Sequence, residues 1–193
     1  MKKLYPHQRK QTRQVYRELK RHNHVIFGLG TGGGKSIVMQ NMIDKFLKEN
    51  KRVLVLAPFR KLVFQLEETF TMYQPRVIMG SIDRGSLKSK LILSSLDTVH
   101  NRLKKGVKYL EDFDIIMIDE VHISCNFPPK KGSRTELLYK KYWNCAKWIG
   151  FSATPLTSNG YRLEGWDKTV YLYQTKNLID MGFLADYDYF APV

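Results

Sequence analysis

Short apolar runs alternate along this chain with longer stretches in which apolar residues recur every three or four positions. The runs are VIFGL (25–29), VLVLA (53–57), VIM (77–79), LILSS (91–95), IIMID (115–119), WIGFS (148–152) and VYLY (170–173). Most are continuously apolar rather than alternating. Strands covered on both faces read this way, which predicts a mostly parallel sheet between helix layers. The intervening segments predict helices at about 7–21, 35–48, 61–73, 97–104, 134–143 and 175–181. Strand–helix alternation of this kind defines an α/β, doubly wound domain. The segment CNFPPKKGS (125–133) breaks the rhythm, because two prolines and a glycine prevent regular structure. It predicts a loop directly after the most acidic strand end.

Composition narrows the classes. With 193 residues the chain suits one domain of ordinary size. Hydrophobic residues make up 43% and charged residues 26%, enough for a sizeable core. The basic opening MKKLYPHQRK is followed by no apolar stretch, so it does not read as a secretory signal. The apolar run at 53–59 is too short to cross a bilayer, and no membrane partner is expected. Only two cysteines occur, Cys125 and Cys145, which excludes a disulfide scaffold and fits reduced thiols in a cytoplasm. His122 and Cys125 have a zinc-like spacing, but no second pair completes four ligands. The formal net charge of +14 favours a polyanionic partner, either nucleic acid or an acidic surface.

Two segments carry candidate chemistry. GTGGGKS (30–36) follows an apolar run and precedes the helix-compatible IVMQNMIDKFLK. Glycines let backbone N–H groups turn inward around phosphate oxygens, and the following helix N-terminus adds partial positive charge. Lys35 can reach β- and γ-phosphates, and the Ser36 hydroxyl can ligate Mg²⁺. The strict phosphate-loop pattern places glycine at position 29, where this chain has Leu29. The second segment is FDIIMIDEVH (113–122), an apolar run that ends abruptly in Asp119 and Glu120. Charges there are costly unless they bind something. Asp119 can hold Mg²⁺, and Glu120 can orient and deprotonate an attacking water.

With these residues in order, the chain resembles the first RecA-like domain of a superfamily 2 helicase or translocase of the DEAD/DEAH-box group. It is most similar to the restriction-subunit and repair-helicase branch common in phages. LYPHQ (4–8) resembles the Q-motif region, which implies that Gln8 reads the adenine edge. GTGGGKS matches motif I, implying nucleotide contacts from Gly30, Thr31, Gly32, Gly33, Gly34, Lys35 and Ser36. APFRKLVFQ (57–65) resembles motif Ia and LILSSLDTVHNRL (91–103) the surroundings of motif Ib, implying nucleic-acid contacts at Arg60 and Ser94. DEVH (119–122) matches motif II. SATP (152–155) matches motif III, implying that His122, Ser152 and Thr154 couple nucleotide state to movement.

The resemblance implies a RecA-like P-loop NTPase fold, a sheet with helices on both faces, and an ATP- and Mg²⁺-dependent motor acting on DNA, with RNA still open. The catalytic residues would be Lys35, Asp119 and Glu120. Residues 1–193 would form the ATP-binding half, completed by a second RecA-like domain and weakly active or inactive without it. Tyr187, Tyr189 and Phe190 would then face that second domain. Residence would be cytoplasmic, in the host cytoplasm if phage-encoded. Two rivals stand beside this reading: a non-hydrolytic nucleic-acid-binding module on the motor fold, and a P-loop kinase or small-molecule ATPase. The first 24 residues hold eight Lys or Arg and one acid, Glu18. Arg9, Arg13, Arg17 and Lys20 recur at helical spacing and form either a phosphate-following stripe or a solvated face.

Overall fold

The computed structural model describes residues 3–106, 112–123, 127–155 and 163–186. In chain order the elements are α1 (Pro6–Leu19), β1 (His24–Gly28), α2 (Lys35–Lys48), β2 (Val53–Ala57), α3 (Arg60–Phe70), β3 (Arg76–Met79), β4 (Ile82–Arg84), β5 (Leu91–Ser95), α4 (Leu96–Lys104), β6 (Ile115–Ile118), α5 (Glu136–Tyr142), β7 (Lys147–Ser152), β8 (Lys168–Tyr171) and α6 (Thr175–Asp180). Each apolar run of the sequence is a strand. The strand the pattern missed is β4, whose residues IDR carry a single apolar side chain.

The described strands form one sheet of order β4-β3-β5-β2-β6-β7-β1-β8. Every neighbouring pair is parallel except β3–β4. Strand side chains alternate between two cores, as a period of two requires. Val25, Phe27, Val53, Val55, Met117 and Ile149 face one core with α1, α2 and α3. Ile26, Leu54, Leu56, Ile116, Ile118 and Trp148 face the other with α4 and α5. Both faces are therefore covered, and this accounts for the continuously apolar runs.

Parallel strands bring their C-terminal ends to one edge of the sheet, where crevices form and ligands bind in open α/β folds. β1 ends there in the glycine loop, β6 in Asp119 and β7 in Ser152. β2 and β5 deliver the starts of α3 and α4 to the same edge. Order β6-β7-β1 sets the two candidate chemical segments one strand apart. The edge beyond β3 is closed by β4, which Asp83 ties down. Its carboxylate accepts from Arg76 Nε at 2.8 Å and Nη2 at 3.0 Å, and pairs with Arg102 at 3.3 Å. No helix among the described residues is long and apolar enough to cross a membrane.

Candidate functional site

The glycine loop leaves β1 and turns directly into α2. Leu29 N–H donates to Ser152 O at 3.0 Å and Gly30 N–H to Tyr173 O at 3.2 Å, so the loop is anchored to the ends of β7 and β8. Gly34 caps α2 in the left-handed region, φ 86°, where an L side chain is strained. A Cβ there would also lie 2.4 Å from Gln8 Nε2. The glycines at 30, 32 and 33 are hemmed in by α6 and the chain after it, with a Cβ meeting Thr175, Leu184 or Leu178 at under 3 Å. Leu29, in contrast, is fully buried in the core beside Gly33. A large side chain stands where the strict pattern has glycine because position 29 still points into the protein.

Gln8 is placed by the start of α1. Pro6 opens the helix, and Gln8 Oε1 reaches back to accept the N–H of Tyr5 at 2.9 Å, the reciprocal arrangement of a helix N-terminus. Its amide then donates to Gly33 O at 2.8 Å. Gln8 thus braces the loop, and one helical turn on, Gln11 donates to Gly28 O and Val170 O. Around the same helix start, His7 packs on Phe183 with ring centroids 4.3 Å apart, and Tyr5 on Phe183 at 5.4 Å. Nothing local in the sequence marks Leu178 and Leu184 as neighbours of the loop, or Phe183 as a neighbour of the α1 start, because these contacts join segments far apart in the chain.

Lys35, the first residue of α2, points at the acidic strand end. Its Nζ lies 2.6 Å from Glu120 Oε1, and both side chains are largely sheltered from solvent. Asp119 Oδ1 accepts the N–H of Glu120 at 3.1 Å. Glu120 has φ 48°, an uncommon conformation for a residue with a side chain. Burial pushes the Asp119 carboxyl above its ordinary value, against the pull of the Lys35 ammonium, and the adjacent Glu120 charge pushes the same way as burial. His122 lies in a short 3₁₀ turn after the acids. Its Nδ1 is 2.8 Å from Ser152 Oγ and 3.5 Å from Glu120 Oε2. Ser152 Oγ also accepts the N–H of Thr154 at 3.0 Å. His122, hydrogen bonded to the β7 end, therefore sits against the acidic pair.

A concavity of about 530 Å³ opens farther along the same sheet edge. Arg60, Gly80, Ser95, Thr98, Asn101 and Arg102 contribute to its lining. Arg60 is exposed at the first turn of α3. Ser94 is a correction. It is fully buried, and its hydroxyl donates inward to Ile78 O at 2.6 Å. The neighbouring Ser95 caps α4 and bonds Thr98 Oγ1 at 2.9 Å, which puts these two hydroxyls at the concavity instead. Tyr187, Tyr189, Phe190 and Cys125 lie outside the described residues.

This geometry suits a polyphosphate. A helix N-terminus opened by a left-handed glycine, a lysine at that helix start and a partly buried carboxylate converge at one edge. The donor set for a cation fits Mg²⁺: the Ser36 hydroxyl and the Asp119 carboxylate are hard oxygen ligands, and a bound cation would offset the burial that raises Asp119.

Fold and site together define a RecA-like α/β domain of the phosphate-loop type. Residues 1–157 match the family described as type III restriction enzyme, res subunit, and the chain belongs to that family. A Saccharomyces cerevisiae protein named as a candidate ATP-dependent helicase, IRC3, is 32% identical over 107 residues, covering 50% of this chain and 15% of its own length. The ATP-dependent DNA helicase Hel308 of Pyrococcus abyssi is 21% identical over 140 residues, 68% of this chain and 19% of its own. The Pyrococcus furiosus Hef helicase domain superposes with a TM-score of 0.62 at 23% identity, over 83% of this chain and 36% of that one. The chain thus spans less than a fifth of the length of these two sequence relatives.

Proposed function

We propose that the chain is the ATP-binding half of a helicase or translocase that acts on DNA. The observation that carries this reading is the Lys35–Glu120 pair at 2.6 Å, beside Asp119 and directly after the glycine loop. In this reading the loop N–H groups and Lys35 hold the β- and γ-phosphates, and Gln8, once it releases its bonds to Tyr5 and Gly33, reads the adenine edge. Ser36 and Asp119 would hold Mg²⁺, which supplies charge neutralisation at the transferring phosphoryl group. Glu120 exchanges its bond to Lys35 for a water molecule and takes that water's proton. His122, Ser152 and Thr154 pass the state of the acidic pair to β7.

Arg60 and the α4 start bind the strand's phosphates. The charge of +14 supports a nucleic-acid partner, and the relative Hel308 is by name a DNA helicase. Residues 1–193 act with a second RecA-like domain, because charge developing on the γ-phosphate needs stabilisation from across the site. Hydrolysis by this chain alone is slow. The rival of a non-hydrolytic binding module has less support, since Lys35, Asp119 and Glu120 are all present and gathered.

The test is DNA-stimulated ATP hydrolysis by a two-domain form of the protein, beside its Glu120→Gln variant. Turnover is expected to fall by about 10²-fold or more with Mg·ATP binding retained. Undiminished turnover would remove Glu120 from the chemistry. No hydrolysis by the parent would favour the binding module.

A further inference from the structure

Helix α1 has two faces of different character. Its buried face holds His7, Gln8, Gln11, Thr12, Val15, Glu18 and Leu19. The exposed face carries Arg9, Lys10, Arg13, Arg17 and Lys20. Arg9, Arg13 and Arg17 follow each other at intervals of four and line a shallow groove of about 680 Å³ with Pro6, Lys10 and Gln14. Lys3, Arg9 and Arg13 line the adjoining hollow.

An ordinary solvated helix face carries both signs, and elsewhere this chain follows that rule. On α2, Lys48 pairs with Asp44 at 2.7 Å and Lys45 with Glu49 at 3.9 Å; on α5, Lys140 pairs with Glu136 at 2.7 Å. α1 does not. Its single acid, Glu18, is buried and turned toward Gln14 and His22. Among the described residues no carboxylate pairs with Arg9, Lys10, Arg13, Lys20 or Arg21. Like charges four apart each weaken a helix by a few tenths of a kcal/mol, while the dipole favours only Arg17, in the last turn. The arrangement costs the isolated helix stability, and a bound polyanion would reverse the sign of that cost.

We infer that the exposed face of α1 is a second nucleic-acid contact, taking the sugar-phosphate backbone of DNA independently of the concavity over Arg60. Arg9 to Arg17 spans about 12 Å of helix axis. The three arginine positions recur about every 6 Å along that axis, and each long side chain can swing to a separate phosphate of one backbone strand. The spacing therefore matches backbone contact by three guanidinium groups, without base reading. The same helix braces the phosphate loop through Gln8, so DNA seated on the stripe would rest one helix diameter from the nucleotide. This inference rests on the nucleic-acid partner proposed above, yet it can fail separately.

The experiment measures binding of a fluorescein-labelled DNA duplex by anisotropy across a salt series, using the chain as described. The triple variant Arg9→Gln, Arg13→Gln, Arg17→Gln is compared with the parent, with Arg60→Gln and with the corresponding triple Lys variant. The triple Gln variant is expected to bind roughly tenfold or more weakly, with a slope of log K against log salt shallower by about 2–3. Its melting temperature should be equal or higher, its binding of Mg·ATP unchanged, and the triple Lys variant should bind like the parent. Unchanged affinity and slope, with binding lost only in Arg60→Gln, would overturn the stripe and leave the proposed function standing. A parent that binds phosphatidylserine vesicles but no DNA would overturn it as well.

Discussion

Asp119 is the residue whose chemistry and stability pull in opposite directions. Burial holds its carboxyl above the ordinary 3.8, even with Lys35 nearby. The folded state therefore keeps the proton to higher pH than the unfolded chain does. The two states are equally protonated below the unfolded value. Stability is lost as pH rises from there through the folded value, and at neutral pH the ionised group destabilises the fold. Asp119→Asn should raise the melting temperature at pH 7 and remove that part of the pH dependence, while Mg²⁺-dependent nucleotide binding disappears. A drop of several degrees at pH 7 would show that the carboxylate is stabilising. The same upward shift lets protons compete with Mg²⁺, so nucleotide affinity should weaken on acidification sooner than for an unshifted carboxylate.

At the scale of elements, the loop between β1 and α2 depends on what packs around it. Gly34→Ala would place a side chain at φ 86° and 2.4 Å from Gln8 Nε2. Left-handed strain alone costs about 1–2 kcal/mol, and the displaced Gln8 releases its bond to Gly33. The denaturation midpoint should fall and Mg·ATP binding should weaken together. Leu29→Gly makes the opposite case. It would restore the strict loop pattern, yet it empties a fully buried position, and a loss of about 3 kcal/mol or more is expected in chemical denaturation. An unchanged midpoint would mean that Leu29 is not part of the core.

These elements also show how far the sequence could be read. The strands on both sides of the site were legible because double burial leaves only apolar residues. The lysine, the acids and their helix and strand were legible because their chemistry needs those types at those joints. β4 was not, since it is held by Asp83 bridging Arg76 and Arg102, a pairing without local pattern. Ser94 and Ser95 could not be told apart by resemblance, because which of two adjacent strand residues faces inward is settled by what packs on each side. The packing of α6 on the glycines was equally hidden, as it joins segments about 145 residues apart (178 − 33).

For the whole molecule, parallel topology gathers the loop, the acids, the β7 end, Arg60 and the α4 start along one edge. Nucleotide and nucleic acid would then share that edge, with α1 adding charge behind the loop. A net charge of +14 predicts DNA binding that weakens steeply with salt, and Arg60→Gln should make the salt slope shallower by about 1. A slope near zero in the parent would argue against phosphate contacts anywhere on this surface. The most direct measurement of the central claim is a titration of Mg·ATP into the chain by equilibrium calorimetry, repeated with Lys35→Ala. Saturable one-site binding, lost or weakened at least tenfold by the substitution, is the result this account predicts. Equal affinity in the two proteins, or no binding to either, would contradict it.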